Sequence, residues 1–358
     1  MKKIKRKDKK TTFKPRFKVV TIVFLGVIVL FLTSIFVYHK IASTSELNFL
    51  SQFDLGQTIE IDGKKVNYKI FNAENIDKTI VLMPGLTTQD LAVSFLPLAE
   101  KLNARVILIN RPGYSLSEET GKEATVDYIV EYHRKTLAAL NISTSVVLMP
   151  HSIAGQYAIY WAEKYPSEVS SIIGLDIGSP FLFAEEDDAD GLSETVRYLG
   201  AKLGLGRIVM SKSDYAPLLA NFGYFEDTEI EAMWYLNGTI NPYPKFAESE
   251  TLLSKANAEK VVASLSDNYY SKPKLFFYAD YQAEGFEEKV RPVFLSSFHN
   301  EQAVDNHIAE HKTLQNEIAE SLKTDDQARI VTVPGTHAIY LYPSETLIST
   351  INAFLRNE

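Results

Sequence analysis

The longest apolar run of the chain lies near its N-terminus. Residues 19–38 (VVTIVFLGVIVLFLTSIFVY) contain no charged side chain. At about 1.5 Å per residue, a helix of this length spans roughly 30 Å, the thickness of the hydrocarbon core of a bilayer. Lys18 and Lys40 flank the run, and Tyr38 ends it where interfacial aromatic residues are common. The pattern predicts a transmembrane helix over residues 19–38, followed by a tether over residues 39–56.

Two other interpretations of this run stay open. A buried core helix can be equally apolar, and a secretory signal peptide would be cleaved from the mature protein. A signal peptide usually has an apolar region of about 7–15 residues and small residues before its cleavage site. Here the run is longer, and His39 and Lys40 follow it. An uncleaved membrane anchor is therefore favoured.

Basic residues set the expected orientation of this anchor. Residues 1–18 contain ten Lys or Arg and one Asp, and basic flanks of a membrane span stay in the cytoplasm. We expect residues 1–18 to form a cytoplasmic tail and the body to face the cell exterior. The absence of cysteine suits an exported protein that does not rely on disulfides, as in many Gram-positive bacteria.

Beyond residue 56, short apolar runs alternate with amphipathic segments. A hairpin closed by Asp62-Gly63 is expected first. The later runs are rich in Val, Ile and Leu without polar alternation, which indicates strands buried on both faces. They cover residues 79–83, 105–110, 145–149, 171–176, 274–279 and 329–333. Helical patterns lie near residues 89–103, 126–140, 153–165 and 301–323, and from about 344. This order predicts an α/β fold with a mostly parallel sheet and helices on both faces.

One long segment interrupts the alternation. Residues 177–272 contain no comparable apolar run, but carry helical patterns, Pro and Gly breaks and many aromatic residues. We expect a helical cap here, inserted into a core formed by residues 57–176 and 273–358. Most of the aromatic side chains are expected to pack within the cap, and the remainder to line an apolar pocket.

Composition narrows the chemistry that the body can carry out. The chain is 46% apolar and 23% charged, which is ordinary for a globular protein. The absence of cysteine excludes disulfides, thiolate metal sites and a cysteine nucleophile. The net charge is −8 although residues 1–18 are strongly basic, so the body is acidic. We therefore expect no nucleic-acid partner, because phosphate binding needs a basic face.

A serine lies at the junction of a predicted strand and helix. The run ending at Met149 continues into Pro150-His151-Ser152-Ile153-Ala154-Gly155. A serine at such a turn can be a nucleophile elbow, in which the strained backbone exposes the hydroxyl and requires small neighbours. Pro150 and Ala154 replace the glycines of the usual G-x-S-x-G pattern. An ordinary helix-capping serine is the structural alternative.

Three further motifs follow predicted strands. They are Met83-Pro84-Gly85-Leu86-Thr87, Asn110-Arg111-Pro112-Gly113-Tyr114-Ser115 and Val333-Pro334-Gly335-Thr336-His337. In this order, with the elbow serine and the insertion between the second and the third, the chain resembles the α/β-hydrolase family over residues 57–358. The resemblance implies that family's fold, with the insertion placed as a lid over the serine.

Carried over residue by residue, the resemblance implies a set of roles. Ser152 would be the nucleophile, and His337 the general base that takes its proton and later returns it to the leaving group. The backbone N–H groups of Leu86 and Ile153 would form the oxyanion hole. His151 would be structural rather than catalytic.

The acid that completes the triad is open between three carboxylates. The usual position in the family, after the strand at 274–279, falls near Gln282, with Asp280 and Glu284 close by. A variant arrangement, as in haloalkane dehalogenases, places the acid after the preceding strand, where this chain has Asp176. We expect Asp176 to be the acid, with Asp280 and Glu284 as alternatives.

A second histidine motif, His307-x-x-Glu310-His311, resembles an inverted zinc-protease signature. It falls on the predicted helix at 301–323, which we expect to pack on the outer side of the sheet with a solvated polar face. No third ligand is evident in the sequence. The sequence therefore predicts no metal and no organic cofactor.

These features lead to one functional hypothesis and two alternatives. The chain is expected to be a membrane-anchored, extracytoplasmic serine hydrolase that cleaves an ester or related acyl bond through an acyl-enzyme. Its substrate would be a small acyl compound, lipid-like if an apolar pocket is present. A peptidase or acyltransferase of the same fold is one alternative. A binding protein that kept the fold and lost the reaction is the other.

Overall fold

The architecture was taken from a computed structural model, which describes residues 15–209, 212, 216, 219–220, 222–298, 300–322 and 327–357. Residues 1–14 of the predicted basic tail lie outside the described residues. The apolar run, the strand–helix alternation and the insertion all lie largely within them.

An eight-stranded sheet organises the body. Its strands are β1 (Gln57–Ile61), β2 (Lys64–Phe71), β3 (Thr79–Met83), β4 (Arg105–Ile109), β5 (Val146–Pro150), β6 (Val169–Leu175), β7 (Lys274–Asp280) and β8 (Ala328–Pro334). The spatial order is β1-β2-β4-β3-β5-β6-β7-β8. β1 and β2 form an antiparallel hairpin, β2 pairs antiparallel with β4, and all other pairs are parallel. The prediction of a mostly parallel sheet is confirmed, with strand ends displaced by one or two residues.

Helices cover both faces of this sheet. Within the described residues they are α1 (Pro15–Leu50), α2 (Leu91–Ser94), α3 (Leu96–Ala99), α4 (Val126–Ala139), α5 (Ala154–Lys164), α6 (Pro180–Phe183), α7 (Gly191–Leu203), α8 (Gly206–Val209), α9 (Asp227–Trp234), α10 (Lys245–Leu252), α11 (Ser254–Ser264), α12 (Asp267–Tyr270), α13 (Glu287–Phe298), α14 (Glu301–Leu322) and α15 (Glu345–Asn357). Short helical turns occupy Pro166–Glu168, Tyr235–Ile240 and Ile339–Leu341.

Alternate residues of the central strands supply two separate apolar layers. In β3, Ile80 and Leu82 pack into one layer, whereas Val81 and Met83 pack into the other. All four side chains are fully buried. Because both faces of the sheet are covered, the sequences of these strands are continuously apolar and do not alternate between apolar and polar residues.

The insertion between β6 and β7 is helical, as the sequence predicts. The chain leaves the sheet after Leu175 and returns at Lys274, with α6 to α12 between these points and no strand among its described residues. Several of its aromatic side chains, such as Tyr243, Phe246 and Tyr269, are buried in the layer that also contains α4 and α5. This insertion is referred to below as the cap.

The N-terminal helix is longer than the predicted span. α1 runs without a break from Pro15 to Leu50, and its part from Val19 is long and apolar enough to cross a membrane. The residues expected to be a tether are therefore helical as far as Leu50. The reason lies in packing: no Pro or Gly interrupts residues 39–50, and Leu50 is buried against the body.

A polar cluster joins the C-terminal part of α1 to the cap. Arg207 binds both carboxylate oxygens of Glu46, at 2.5 and 2.7 Å. The same guanidinium donates to Ser43 Oγ at 2.9 Å and to His39 Nδ1 at 3.0 Å. Thr239 Oγ1 donates to Glu46 Oε2 at 3.0 Å. This clamp is nearly enclosed, since only about a tenth of the Arg207 and Glu46 side chains is exposed.

The substitution Glu46→Gln is predicted to destabilise the full-length protein strongly. It leaves the enclosed Arg207 guanidinium without a counter-charge, and breaking a buried pair in this way costs about 3–5 kcal/mol. The measurement is the free energy of unfolding in detergent micelles. The double variant Glu46→Met, Arg207→Met should recover much of the loss.

Lys135→Met is the control, because the Lys135–Asp62 pair lies at the surface and exposed pairs contribute little. Equal losses for Glu46→Gln and Lys135→Met would contradict the structural role of the clamp.

Candidate active site

Ser152 occupies a sharp turn between β5 and α5. Its φ angle is +55°, a left-handed conformation that costs a non-glycine residue energy. Pro150 is the last residue of β5, and Ala154 begins α5. Gly155 is required by close packing, since a Cβ there would lie 2.8 Å from Ile177 Cβ. The turn therefore has the strained backbone and small neighbours expected of a nucleophile elbow, although two of its glycines are replaced.

Asp176 and His337 meet beside this turn. Asp176 directly follows β6 with a φ of +48°, and His337 lies in the loop after β8. His337 Nδ1 is 2.7 Å from Asp176 Oδ2. Asp176 is buried, whereas half of the His337 side chain is exposed. Nδ1 of His337 is thus held by a buried carboxylate, while half of the side chain stays exposed to solvent.

Further donors surround the Asp176 carboxylate. Its Oδ1 accepts hydrogen bonds from the Ala279 N–H at 3.1 Å and from Gln315 Nε2 at 2.9 Å. His311 Nε2 lies 3.7 Å from Oδ2. Burial alone would raise the pKa of Asp176, but His311 and His337 outweigh it and hold that pKa well below its ordinary value. Asp176 is therefore ionised at neutral pH.

The two alternative acids are placed elsewhere. Asp280 Oδ1 accepts the N–H of Gln282 at 3.0 Å and so closes the turn after β7. Glu284 is exposed in the following loop. Of the three carboxylates considered from the sequence, Asp176 is the one hydrogen-bonded to His337.

His151 supports the main chain of His337. Its Nε2 lies 3.0 Å from the carbonyl oxygen of His337, and the two rings are 4.8 Å apart. Burial lowers the pKa of His151 to about 3. The ring is therefore neutral, and its Nε2–H donates to that carbonyl. The His337 N–H in turn donates to the Tyr281 hydroxyl at 3.1 Å, so both backbone groups of this residue are held.

The loop after β3 runs close to the serine. A Cβ on Gly85 would lie 2.5 Å from His151 Nδ1 and 3.1 Å from Ser152 Cβ, so only glycine fits. Thr87 has a φ of +58°, which is strained for a β-branched residue. Within the described part of the chain, no residue accepts a hydrogen bond from the N–H of Leu86 or Ile153. These two groups remain available as donors.

Arg111 binds the main chain of the loop after β3. It is fully buried and donates to the carbonyl oxygens of Pro84 and of Gly85, the latter at 2.9 Å. Its Nε lies 2.8 Å from Glu250 Oε1 in the cap helix α10. The Tyr114 hydroxyl donates to the other Glu250 oxygen and accepts the N–H of Thr87 at 3.2 Å. The predicted R-P-G-Y turn thus ties the glycine loop to the cap.

A cavity of about 300 Å³ opens beside Ser152, Asp176 and His337. Its apolar wall comes from the start of the cap and from α14, and consists of Ile177, Leu182, Phe183, Leu314 and Ile318. Phe183 is the one aromatic side chain of the cap that lines this cavity among the described residues. The expectation that most cap aromatics serve packing therefore agrees with the structure.

The expected position of α14 is wrong. This helix, predicted to lie on the outside of the sheet, crosses the mouth of the site instead and brings His311 and Gln315 to Asp176. His311 stacks on Tyr281, with ring centroids 4.1 Å apart. His307, one turn earlier, packs edge-on against Phe294 of α13. The preceding helix, α13, was not predicted, and it supplies the packing that turns α14 towards the site.

The two histidines of the H-x-x-E-H motif therefore do not face one ligand together. Asp176, His311 and His337 offer ligand atoms within 4.8 Å of one another and could hold a metal ion by distance. In the described structure, however, His337 Nδ1 is hydrogen-bonded to the carboxylate oxygen that such an ion would need. The absence of a metal remains a prediction.

The sequence does not identify two residues of the site, Gln315 and His311, as partners of the acid. His311 stands out there only as a candidate metal ligand. The available signal was their spacing of four along one helix, with Leu314 and Ile318 on neighbouring positions. That pattern indicates one mixed polar and apolar helix face, but the sequence does not say which surface it meets.

Comparisons with known proteins agree with the fold. A family profile described as the α/β hydrolase fold matches residues 78–204. The chain is 28% identical over 354 residues to the Bacillus subtilis (strain 168) protein YbdG, itself described as uncharacterized. That alignment covers 96% of this chain and 99% of YbdG, so the similarity includes the N-terminal helix and the cap.

Solved structures share the fold at low sequence identity. The enol-lactonase of Burkholderia xenovorans superposes with a TM-score of 0.52 at 13% identity, covering 84% of this chain and 100% of that one. An esterase from Exiguobacterium antarcticum gives 0.52 at 14% identity, covering 84% and 99%. At these identities, the similarity concerns the fold.

Because His151 is buried in its neutral form, we predict that the folded protein loses stability as the pH falls. The pKa of this side chain is about 3 in the folded protein and about 6.5 in an unfolded chain. Between these values the unfolded state binds more protons, so stability falls as the pH falls, by up to about 1.4 kcal/mol per pH unit. His133, also buried, has a pKa lowered to about 4 by burial and adds to the effect.

The measurement is urea unfolding of the wild type and His151→Gln at pH 6.5, 5.5 and 4.5. The variant should be less stable at pH 6.5 but lose less stability on acidification. Parallel pH dependences in the two proteins would show that His151 does not carry this linkage.

Proposed function

Because the chain is an α/β-hydrolase-fold protein, we propose that it is a serine hydrolase with Ser152, His337 and Asp176 as its catalytic triad. The observation that carries this proposal is the 2.7 Å contact between His337 Nδ1 and Asp176 Oδ2, made beside a serine on a strained turn. A buried carboxylate that fixes the histidine tautomer leaves Nε2 as the base for a serine hydroxyl.

The reaction would proceed through an acyl-enzyme. Ser152 Oγ attacks the carbonyl carbon of an ester while His337 Nε2 takes the hydroxyl proton. The oxygen that becomes negatively charged is received by the N–H groups of Leu86 and Ile153. Asp176 stabilises the imidazolium that forms. His337 then protonates the departing alcohol as the C–O bond breaks.

Water completes the cycle on the same groups. His337 removes a proton from a water molecule, whose oxygen attacks the acyl carbon. This attack forms a tetrahedral intermediate, as the attack of Ser152 did. The intermediate collapses when the bond between Ser152 Oγ and the acyl carbon breaks, Ser152 recovers its proton from His337, and a carboxylic acid leaves. Every step uses groups of this chain and water. An ester with an apolar acyl part fits the apolar wall of the cavity.

The proposed location is the outer face of a cell membrane. The exposed apolar part of α1 supports an anchor, and the basic residues before it support a cytoplasmic N-terminus. The catalytic body would then lie on the exterior side, close to the bilayer.

A fluorophosphonate probe tests the nucleophile directly. The full-length protein in detergent should be labelled at Ser152, with the site identified by mass spectrometry. Ser152→Ala should abolish labelling, and Asp176→Asn should slow labelling and ester hydrolysis by about 10⁴-fold, because the histidine then holds the wrong tautomer.

Asp280→Asn and Glu284→Gln are matched controls and should retain wild-type rates. If either removed activity while Asp176→Asn did not, the assignment of the acid would be overturned. Folded protein that is not labelled at all, and cleaves no ester, would favour the non-catalytic alternative. A parallel panel of amides and acceptor alcohols separates peptidase and acyltransferase activity from hydrolysis.

Gln315 is predicted to act as a positioning residue for Asp176. Gln315→Leu removes one donor to the ionised carboxylate, a bond of about 1.5–3 kcal/mol. We expect kcat to fall by about tenfold with little change in KM for a small ester. Gln302→Leu, an exposed glutamine on the same helix, should leave both unchanged. A loss confined to KM would assign Gln315 to substrate contact instead.

A further inference from the structure

The cap carries an unusual concentration of exposed apolar side chains. Leu192, Val196 and Leu199 of α7 are 74%, 60% and 52% exposed, and Ile208 of α8 is 61% exposed. Outside α1, the described residues include five large apolar side chains that are more than half exposed, and these are four of them. Such clustering marks an interaction surface, whereas single exposed residues are ordinary.

The arrangement on α7 is that of an amphipathic helix. Residues 192, 196 and 199 are spaced by four and three, so they lie on one face. The opposite face is fastened to the cap: Ala201 is buried, and the Tyr243 hydroxyl donates to the Glu194 carboxylate. The apolar stripe is therefore held outward by packing on its far side.

This stripe lies next to the end of the apolar part of α1. Gly204, which caps α7, lies so close to α1 that a Cβ there would be 2.5 Å from His39 Cβ. His39 is the first residue after the uncharged run. Earlier on α1, Leu32 and Ile35 are half-buried whereas the residues before them are exposed. The body of the protein thus overlaps the last turns of the apolar helix.

We infer that the outward face of α7 and α8, formed by Leu192, Val196, Leu199 and Ile208, inserts into the bilayer interface beside α1. Because the uncharged run ends at Tyr38, His39 would lie at the membrane boundary. The C-terminal end of α7 lies against this residue, which brings the exposed apolar stripe of α7 close to the apolar part of α1. A bilayer is therefore the occupant that this surface meets.

Apolar contact, and not headgroup attraction, would drive this insertion. The loop before α7 is acidic, with Glu185, Glu186, Asp187, Asp188 and Asp190. Exposed basic residues occur later on the segment, at Arg197 and Lys202. With charges of both signs nearby, neutral phosphatidylcholine should suffice as a partner.

A second cavity, behind α7, indicates which class of substrate the protein would take. This step rests on the proposed function. It has a volume of about 340 Å³ and lies between the α7–α8 segment and Thr87, with Ala201, Leu205 and Pro242 in its wall. Thr87 follows Leu86, whose N–H is a proposed oxyanion donor. A cavity between a membrane-inserted helix and this loop suits a second hydrocarbon chain of a membrane lipid ester, besides the acyl part that the cavity beside Ser152 would receive.

The absence of cysteine makes a direct test possible. Single cysteines at Val196 and at Ile76 are labelled with a fluorophore in the full-length protein. Ile76 is the matched control, because it is also apolar and exposed. It precedes β3, at the amino-terminal ends of the parallel strands, whereas the cap follows the carboxyl end of β6. The proteins are placed in phosphatidylcholine vesicles that contain lipids with a quencher on the acyl chain.

Label at Val196→Cys should be quenched several-fold more strongly than label at Ile76→Cys. Equal quenching would overturn the inference. So would absent quenching together with disulfide cross-linking of unlabelled Val196→Cys protein by an added oxidant such as copper phenanthroline, because the face would then be a contact between copies of the chain.

A triple variant, Leu192→Glu, Val196→Glu and Leu199→Glu, tests the consequence for substrate. It changes exposed positions only, so folding should be retained. Hydrolysis of a lipid ester in vesicles should fall by about fivefold or more, with hydrolysis of a water-soluble ester unchanged. Equal loss on both esters would overturn the lipid assignment. Wild-type protein that cleaves neither ester would refute the proposed function, while the quenching result would stand by itself.

Discussion

The hydrogen bond between His337 and Asp176 is the contact on which the site depends. Asp176 follows β6 and His337 follows β8, and the whole cap lies between these strands in sequence. The two side chains meet only because β6, β7 and β8 pair in parallel with a set register. The Ala279 N–H, at the end of β7 between them, donates to the same carboxylate. The pairing of these strands therefore aligns Asp176 with His337, and a small error in register would separate the two side chains.

Two elements outside the sheet complete this arrangement. α14 brings His311 and Gln315 to the acid and aliphatic side chains to the cavity. On the other side, Arg111 binds the carbonyls of the glycine loop and pairs with Glu250 of the cap. A buried ion pair contributes little net stability, but losing one partner is costly. The cap is thus tied to the loop that would receive negative charge, and a change in cap packing would be felt there.

The N-terminal helix belongs to the same mechanical unit. Its last turns are clamped to the cap through Glu46 and Arg207, so α1 and the cap move together. With α1 as the proposed membrane anchor, a flexible tether would let the body tumble over the bilayer, whereas this clamp would fix its orientation. The proposed membrane contact of α7 follows from that orientation, because the C-terminal end of α7 lies against His39, where the uncharged run of α1 ends.

The sequence alone predicted the order of the strands, most helices of the core, the inserted cap, the apolar span and the candidate residues Ser152 and His337. These follow from local patterns: uninterrupted apolar runs, turn motifs and composition. It left three carboxylates as candidates for the acid, because spacing along the chain does not say which loop approaches His337. It also misplaced α14 and ended α1 too early, since packing partners distant in sequence decide which helix face is covered. Only the tertiary structure brought Asp176, Gln315 and His311 together, because that contact is made by segments joined through the sheet and not through the chain.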